Sequence, residues 1–403
     1  MPIEPRDRRA RIGAAGAYFV QGLCFAGLVT RVPTLQKNFG FSDNALLLIL
    51  LVVPVVAGVG SLLAGVLAPR FGSAIVLRIA GPGVCATMTA VGFAPARPVL
   101  YAAVAAFGLA LGAVDATMNM QGVAVQHRYG RSILVSFHGA WSIGGILGSL
   151  ANAGAGRLHL SLGPNLGIIA LVGLGIALSV GPSLYRHREA AALAVELPPQ
   201  GEPPRIPWRP IVLVGLAVML MYISDSATSN WSAKYLEDAL HASASVAPLG
   251  LAGYLGLQML GRLVADWPVR RFGPVLPVAV GGLVGGAGML LVSAAHNAAL
   301  AITGFAIVGL GLCVVVPQSF SAAGALDPTG SGVAIARVNL FNYVGFVVGA
   351  GLIGVVNDAA GLRWAFAVPA VLCLGIVGLA PAFRVAAAAT RRPEPAAAAT
   401  TQS

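Results

Sequence analysis

Apolar residues in this chain gather in long blocks, with short polar clusters between them. A helix that crosses a bilayer needs about 20 mostly apolar residues. Twelve blocks meet that length: 12–33, 44–68, 74–94, 98–124, 132–156, 164–184, 209–232, 245–267, 274–295, 297–322, 333–356 and 364–383. The ninth and tenth are parted only by His296-Asn297, and together they are too long for one helix. The pattern predicts an all-α membrane protein with twelve transmembrane helices. Residues 1–184 form a first six-helix bundle and 209–384 a second. Residues 185–208 mix charge with Pro and read as a linker. Residues 385–403, rich in Ala, Thr and Pro, read as a disordered tail. The N-terminus begins basic and then apolar, as a signal peptide does. Its apolar run is long, lacks a clear cleavage site and is followed by many more, so it reads as the first span.

The two halves repeat at an offset of about 201 residues. Arg70-Phe71-Gly72 recurs as Arg271-Phe272-Gly273, and Gly108-Leu109-Ala110-Leu111 recurs as Gly309-Leu310-Gly311-Leu312. Phe137-His138 lies near that offset from Phe341-Asn342. Such duplication belongs to secondary transporters, in which two similar bundles rock about a central cavity.

Charge then sets orientation. Cytoplasmic loops of membrane proteins carry an excess of Arg and Lys. With the N-terminus inside, eighteen Arg fall on the inner side and six Arg or Lys on the outer side, leaving Arg337 uncounted. Both termini are therefore expected in the cytoplasm, as an even number of spans requires. The net charge of +11 comes from Arg residues placed singly or in pairs at block ends, which is a topology signal and not a nucleic-acid surface. Only 10% of residues are charged, against about 25% in a soluble domain, so lipid must cover much of the surface. Gly is abundant, at 52 residues, and Gly108-x3-Gly112, Gly144-x3-Gly148 and Gly281-x3-Gly285 suit close helix approach. Cys24, Cys85, Cys313 and Cys373 fall inside apolar blocks without a CxxC pair, and read as small buried hydrophobes rather than disulfide or metal partners.

Over nearly its whole length the chain resembles the major facilitator superfamily. The loop after span 2, Gly65-Val66-Leu67-Ala68-Pro69-Arg70-Phe71-Gly72, is similar to that family's G-x-L-A-[DG]-R-x-G motif, with Pro69 where an acid is common. The second copy, Gly261-Arg262-Leu263 to Asp266 and Arg271-Phe272-Gly273, keeps an acid, and Asp266 lies one turn after Arg262, within pairing distance on a helix. The resemblance implies the major facilitator fold of two pseudo-symmetric six-helix bundles, and gating roles for Arg70, Gly72, Arg262, Asp266 and Arg271. More narrowly, Asp115-Ala116-Thr117-Met118-Asn119 and Phe137-His138-Gly139-Ala140-Trp141-Ser142-Ile143-Gly144-Gly145 resemble the sugar–proton symporters related to fucose permease. An uncharacterised bacterial branch shares the second tract more closely. Asp115 falls where those permeases carry a protonatable carboxylate, Asn119 on their Asn, and His138 on a sugar-contacting amide. The resemblance implies a bacterial inner-membrane protein, a monomer by family default, with a small-molecule substrate.

The residues support that chemistry on their own terms. A charged acid at the bilayer centre costs about 2.5–3.5 kcal/mol, and burial favours its uncharged form. Asp115 lies deep in span 4, and Gly108, Gly112, Asp115 and Asn119 share one helix face. Asp115 is either a proton carrier or a buried acid held by Asn119. His138, Trp141, Gly145, Gly148 and Asn152 form one stripe on span 5, which suits a hydroxylated ligand or a bond to a neighbouring helix. In span 7, Tyr222, Asp225 and Ser229 share a face, and Asp225 is a second candidate proton site. Gln21, Tyr254, Gln258, Gln318, Asn339 and Asn342 complete a polar lining, each open to the alternative of interhelical bonding. Arg31, closing span 1, reads as a headgroup-level anchor.

No Walker motif, HExxH or recognised triad spacing occurs, which argues against an enzyme and against transport driven by the chain's own ATP hydrolysis. No cofactor or metal is expected; the proton is the expected coupling ion. The leading expectation is proton-coupled secondary transport of a small polar solute, a sugar among the candidates. The alternatives are proton-driven efflux of amphipathic compounds and a membrane sensor that has lost transport.

Overall fold

The structure is a computed structural model and describes residues 3–41, 43–158, 160–186, 206–242, 246–247, 249–327 and 331–384. The expected tail and most of the expected linker (187–205) lie outside the described residues, as do Arg188, Arg205, Arg391 and Arg392. The described residues form α-helices, a 3-10 turn at Gly181–Ser183, a π-helical segment at Tyr235–Ala239 and no strand.

The first half contains α1 (Pro5–Val29), α2 (Val32–Phe39), α3 (Asp43–Phe71), α4 (Ser73–Gly92), α5 (Arg97–Tyr129), α6 (Leu134–Arg157) and α7 (Leu162–Val180). The second contains α8 (Trp208–Lys234), α9 (Leu249–Val264), α10 (Asp266–Phe272), α11 (Val275–Ala294), α12 (Ala298–Leu312), α13 (Val315–Leu326), α14 (Val333–Ala360) and α15 (Leu362–Leu379). Eleven of the described helical segments are long and apolar enough to cross a membrane, and Leu249–Val264 is a shorter apolar helix. Together they account for the twelve expected spans.

Several boundaries depart from the hydropathy pattern. The first helix starts at Pro5, ahead of the apolar block, because its polar turn is satisfied internally. Glu4 and Asp7 form a capping box, and the buried Asp7 accepts from Tyr185 Oη at 2.7 Å and Arg128 Nε at 3.0 Å. The expected eighth span, 245–267, is broken at Ala265 into α9 and α10. The expected tenth, 297–322, is broken after Leu312 into α12 and α13. A proline supplies the same physical reason at each break. Pro268 and Pro317 lack the amide hydrogen that would bond the carbonyl four residues earlier, at Val264 and Cys313. Asn297 does separate α11 from α12, its side chain accepting from the Leu300 amide at 2.9 Å. All four cysteines are buried and free, with the Cys24 and Cys85 sulfurs 3.8 Å apart.

Glycine sets the packing within each half. A Cβ on Gly108 would lie 2.9 Å from Val53 O, and one on Gly112 only 1.8 Å from Ala57 O, so α5 meets α3 backbone to backbone. Gly144 and Gly148 press on Phe19 O and Leu23 O of α1 at 2.2 and 2.5 Å. In the second half, Gly309 meets Tyr254 O at 2.1 Å, and Gly345 and Gly349 meet Met219 O and Ile223 O at 2.5 and 2.6 Å. Gly108 and Gly309, Gly144 and Gly345, and Gly148 and Gly349 are each 201 residues apart. The sequence repeat is therefore a repeat of helix contacts. Gly281 and Gly285 likewise fit against α12, at Gly311 O and the Leu312 side chain.

The halves meet on one side of the membrane, the side on which α1 begins and α15 ends. Ser61 and Gly65 near the end of α3 touch Ala336 at the start of α14. Gly139 of α6 faces Leu263 of α9, and Gly324 of α13 faces Val123 of α5. Ser132 donates to Asp266 at 3.0 Å, and Arg270 donates to Ser132 O at 3.0 Å. Past Tyr343, the close approaches of Gly345 and Gly349 on α14 are made to α8 of the same half. Among the described residues these contacts between the halves gather toward the termini side.

Candidate functional site

The site starts from α5. The face that seats Gly108 and Gly112 on α3 continues to Asp115, which is half-exposed, and to the buried Asn119. Asp115 Oδ2 accepts from Tyr343 Oη of α14 at 2.8 Å, a bond between the halves. Asn119 does not hold that carboxylate. Its Nδ2 donates to the Asp115 backbone carbonyl at 2.8 Å, and its Oδ1 accepts from Tyr18 Oη at 2.7 Å.

The span-5 stripe divides along its length. His138 is buried between Tyr18, edge-on at 5.1 Å, and Phe320 of the other half, stacked at 6.2 Å. Its Nε2 has no partner. Trp141 is half-exposed and donates through Nε1 to Gln21 Oε1. At the far end, Asn152 donates to Gly27 O at 2.7 Å and accepts from Asn165 at 2.8 Å, which makes it interhelical glue.

In the second half, helical spacing sorts the polar residues of α8. Tyr222, Asp225 and Ser229 are half-exposed. Ser224, Ser226 and Thr228 are buried and donate to backbone carbonyls. Asp225 Oδ1 accepts from Tyr254 Oη, which in turn accepts from Gln258 Nε2 at 2.8 Å. Tyr254, Gln258 and Arg262 follow each other at four-residue spacing and form one buried column on α9. On α14, Asn342 donates to Asn339 Oδ1 at 2.6 Å and Asn339 donates to Ser61 Oγ at 3.1 Å. Gln318 Nε2, Asn342 Oδ1, His138 Nε2 and Arg262 Nε are buried without partners. Unpartnered buried polar atoms are rare in proteins, and here three belong to residues expected to bind cargo and the fourth to Arg262, expected to gate.

The expected pairing of Arg262 with Asp266 is not formed. The break at Ala265 separates them: Asp266 heads α10 and faces Ser132, whereas Arg262 Nη1 donates to Ser142 Oγ of the other half at 3.0 Å. Arg70 and Arg271 are exposed at the termini side. Gly72 and its copy Gly273 have φ of +90° and +76°, a left-handed backbone that favours glycine. Tyr343 and Tyr18 were not singled out from the sequence. Tyr343 follows Asn339 by one turn, so its spacing was a usable signal. Nothing local marks Tyr18 as the partner of Asn119.

The geometry agrees with what the chain is similar to. A sequence model described as the Major Facilitator Superfamily matches residues 213–403. An uncharacterised MFS-type transporter of Yersinia pestis is 30% identical over 370 residues, spanning 91% of this chain and 94% of that protein. Among solved structures, FucP in its outward conformation aligns with a TM-score of 0.74 at 15% identity, covering 92% of this chain and 97% of FucP. The human organic anion transporter MFSD10 aligns with a TM-score of 0.75 at 15% identity, covering 94% and 100%. Both structural likenesses are likenesses of fold.

Proposed function

The chain belongs to the major facilitator superfamily, and from that premise we propose that it is a proton-coupled secondary transporter of a small polar solute, working by alternating access in a bacterial inner membrane. The observation that carries this reading is the bond from Tyr343 to Asp115, which ties a half-exposed carboxylate within one half to the other half. A hydrogen bond to an ionised acceptor is roughly twice as strong as a neutral one. Protonating Asp115 therefore weakens a link between the halves, and proton loading is tied to their relative motion. Asp225, bonded to Tyr254 inside its own half, is the second proton site.

The Arg bias supports cytoplasmic termini. With that orientation the side on which the halves meet faces the cytoplasm. A related structure is described as the Escherichia coli fucose–proton symporter, which supports proton coupling and a hydroxylated cargo. Gln21, His138, Trp141, Tyr222, Gln318 and Asn342 line the route such a cargo takes. One chain supplies both halves of the site, so a monomer suffices.

One proton crossing 100 mV supplies about 2.3 kcal/mol, enough for roughly fifty-fold accumulation of a neutral solute. The test is uptake of labelled sugars and sugar derivatives into proteoliposomes with an imposed pH gradient, acid outside. Accumulation that a protonophore collapses is the expected result. Uptake that only equilibrates, with or without the gradient, would refute coupling.

A further inference from the structure

Arg262 occupies a place where a guanidinium is costly. It lies in the membrane part of the fold, 7% exposed, between the two halves. A buried charge is ordinarily paired with a countercharge. Arg262 has none: among the described residues no carboxylate oxygen lies within 4.0 Å of it. Asp266 faces Ser132, and Asp225 accepts from Tyr254. What Arg262 does contact is neutral, the Ser142 hydroxyl at 3.0 Å through Nη1 and the Trp141 ring at 5.9 Å. His138 lies one turn before Ser142 on α6, and Tyr254 lies two turns before Arg262 on α9.

The unused part of the guanidinium has a definite shape. Among the described residues Nη1 is engaged, Nε is buried without a partner, and Nη2 makes no hydrogen bond. The Nε–Nη2 edge is therefore free, and two parallel N–H groups on one edge match the two oxygens of a carboxylate. His138 Nε2, also without a partner among the described residues, lies one turn from the Ser142 that Arg262 contacts.

Charge accounting narrows the cargo. With Asp115 and Asp225 both ionised, the site with Arg262 carries net −1 and repels an anion. Protonation of one acid makes it neutral, and protonation of both makes it +1. One guanidinium set against two acids suits one negative charge, not the two of a phosphate monoester. The Trp141 indole and the Ser142 hydroxyl beside it suit hydroxyl groups.

We propose that Arg262 is the anion subsite of the transport site and that the cargo is a small polyhydroxylated monocarboxylate, a sugar acid rather than a neutral sugar. The inference rests on the transport reading above and adds a dependence that reading lacks: the anion binds only after a proton has loaded.

The test uses the full chain in phospholipid nanodiscs with matched pairs that differ in the carboxylate alone, glucuronate against glucose and galacturonate against galactose. Thermal stabilisation is titrated for wild type, Arg262→Gln and Arg262→Lys. Wild type is expected to prefer each acid by about tenfold or more, and Arg262→Gln to lose that preference, because one desolvated charge-assisted pair accounts for at least that factor. Arg262→Lys keeps the sign of the preference with weaker binding. The ratio of acid to neutral sugar is the deciding readout, since loss of the Ser142 contact alone would weaken both members of a pair alike. Equal binding of acid and neutral sugar by wild type, an unchanged ratio in Arg262→Gln, or no stabilisation by either acid overturns the inference. Protonophore-sensitive accumulation of a neutral sugar by Arg262→Gln proteoliposomes would overturn it while leaving the transport reading intact.

Discussion

Tyr343 donates its hydroxyl proton to Asp115 across the boundary between the halves, at 2.8 Å. The bond joins α14 to α5 where α3 and α14 also touch, through Gly58 and the Tyr343 ring. Any change of charge on Asp115 is thus felt by both halves at once. Asp115→Asn keeps a polar partner for Tyr343 but no titrating group. The variant is expected to exchange solute across proteoliposome membranes while losing the accumulation that an imposed pH gradient drives. Counterflow and gradient-driven uptake, measured side by side, separate the two activities. Full accumulation by the variant would remove Asp115 from the coupling.

Asp225 invites the opposite expectation. Its partner Tyr254 lies in the same half, so protonating it breaks nothing between the halves. Asp225→Asn is expected to slow uptake while retaining accumulation against the gradient. The check is the steady-state ratio of solute inside to outside. If that ratio falls to one, Asp225 carries the coupled proton.

The side on which the halves meet has a contact suited to cross-linking. Ser132 Oγ and Asp266 Oδ1 are 3.0 Å apart and belong to different halves. Alternating access requires them to separate in every cycle. Oxidation of the double variant Ser132→Cys, Asp266→Cys is expected to bring uptake to background, and reductant to restore it. Undiminished uptake by the cross-linked protein would mean that these segments never part.

Asp266 also predicts a pH dependence. It heads α10, outside the membrane-crossing helices. Burial pushes its carboxyl above the usual carboxylate range, against the pull of the Ser132 hydrogen bond and the Arg270 charge. An acid that titrates higher in the folded protein than in the unfolded chain holds its proton more tightly when folded. Its contribution to stability is complete below the ordinary carboxylate range and is lost as pH rises through the elevated value. Asp266→Asn removes that loss. The variant should melt close to wild type near pH 4 and increasingly above it toward pH 8. A gap that narrows as pH rises would contradict the sign.

Much of this arrangement could be read from the chain, and the parts that could not share a cause. Each Gly-x3-Gly pair expected to bring helices together does so against a backbone carbonyl or a packed side chain. Asp115 and His138 were conspicuous because polar groups in hydrocarbon are costly. Spacing on α8 separated the half-exposed Tyr222, Asp225 and Ser229 from the buried Ser226 and Thr228. The breaks at Ala265 and after Leu312 were hidden because hydropathy averages over a proline whose effect appears four residues earlier. Arg262 was assigned to Asp266 because helical spacing assumes an unbroken helix. Tyr343 and Tyr18 depend on which helices abut, and no local pattern carries that information.

The glycine contacts give a prediction that tests the duplication itself. Gly144 and Gly345 occupy equivalent places, with Cβ positions 2.2 Å from Phe19 O and 2.5 Å from Met219 O. Both obstacles are backbone, which a rotamer change cannot relieve, so alanine must force the helices apart. Overpacking of this kind costs about 1–3 kcal/mol. Gly175 and Gly351, with nothing within 4 Å, have room for the same methyl group. Alanine there should be neutral or stabilising by about 0.4–1 kcal/mol, because glycine loses more backbone freedom on folding. Melting of the four single variants in one detergent provides the comparison. Gly144→Ala and Gly345→Ala are expected to fall together, while Gly175→Ala and Gly351→Ala do not. If Gly144→Ala alone is destabilised, the halves are alike in sequence but not in the way their helices are held.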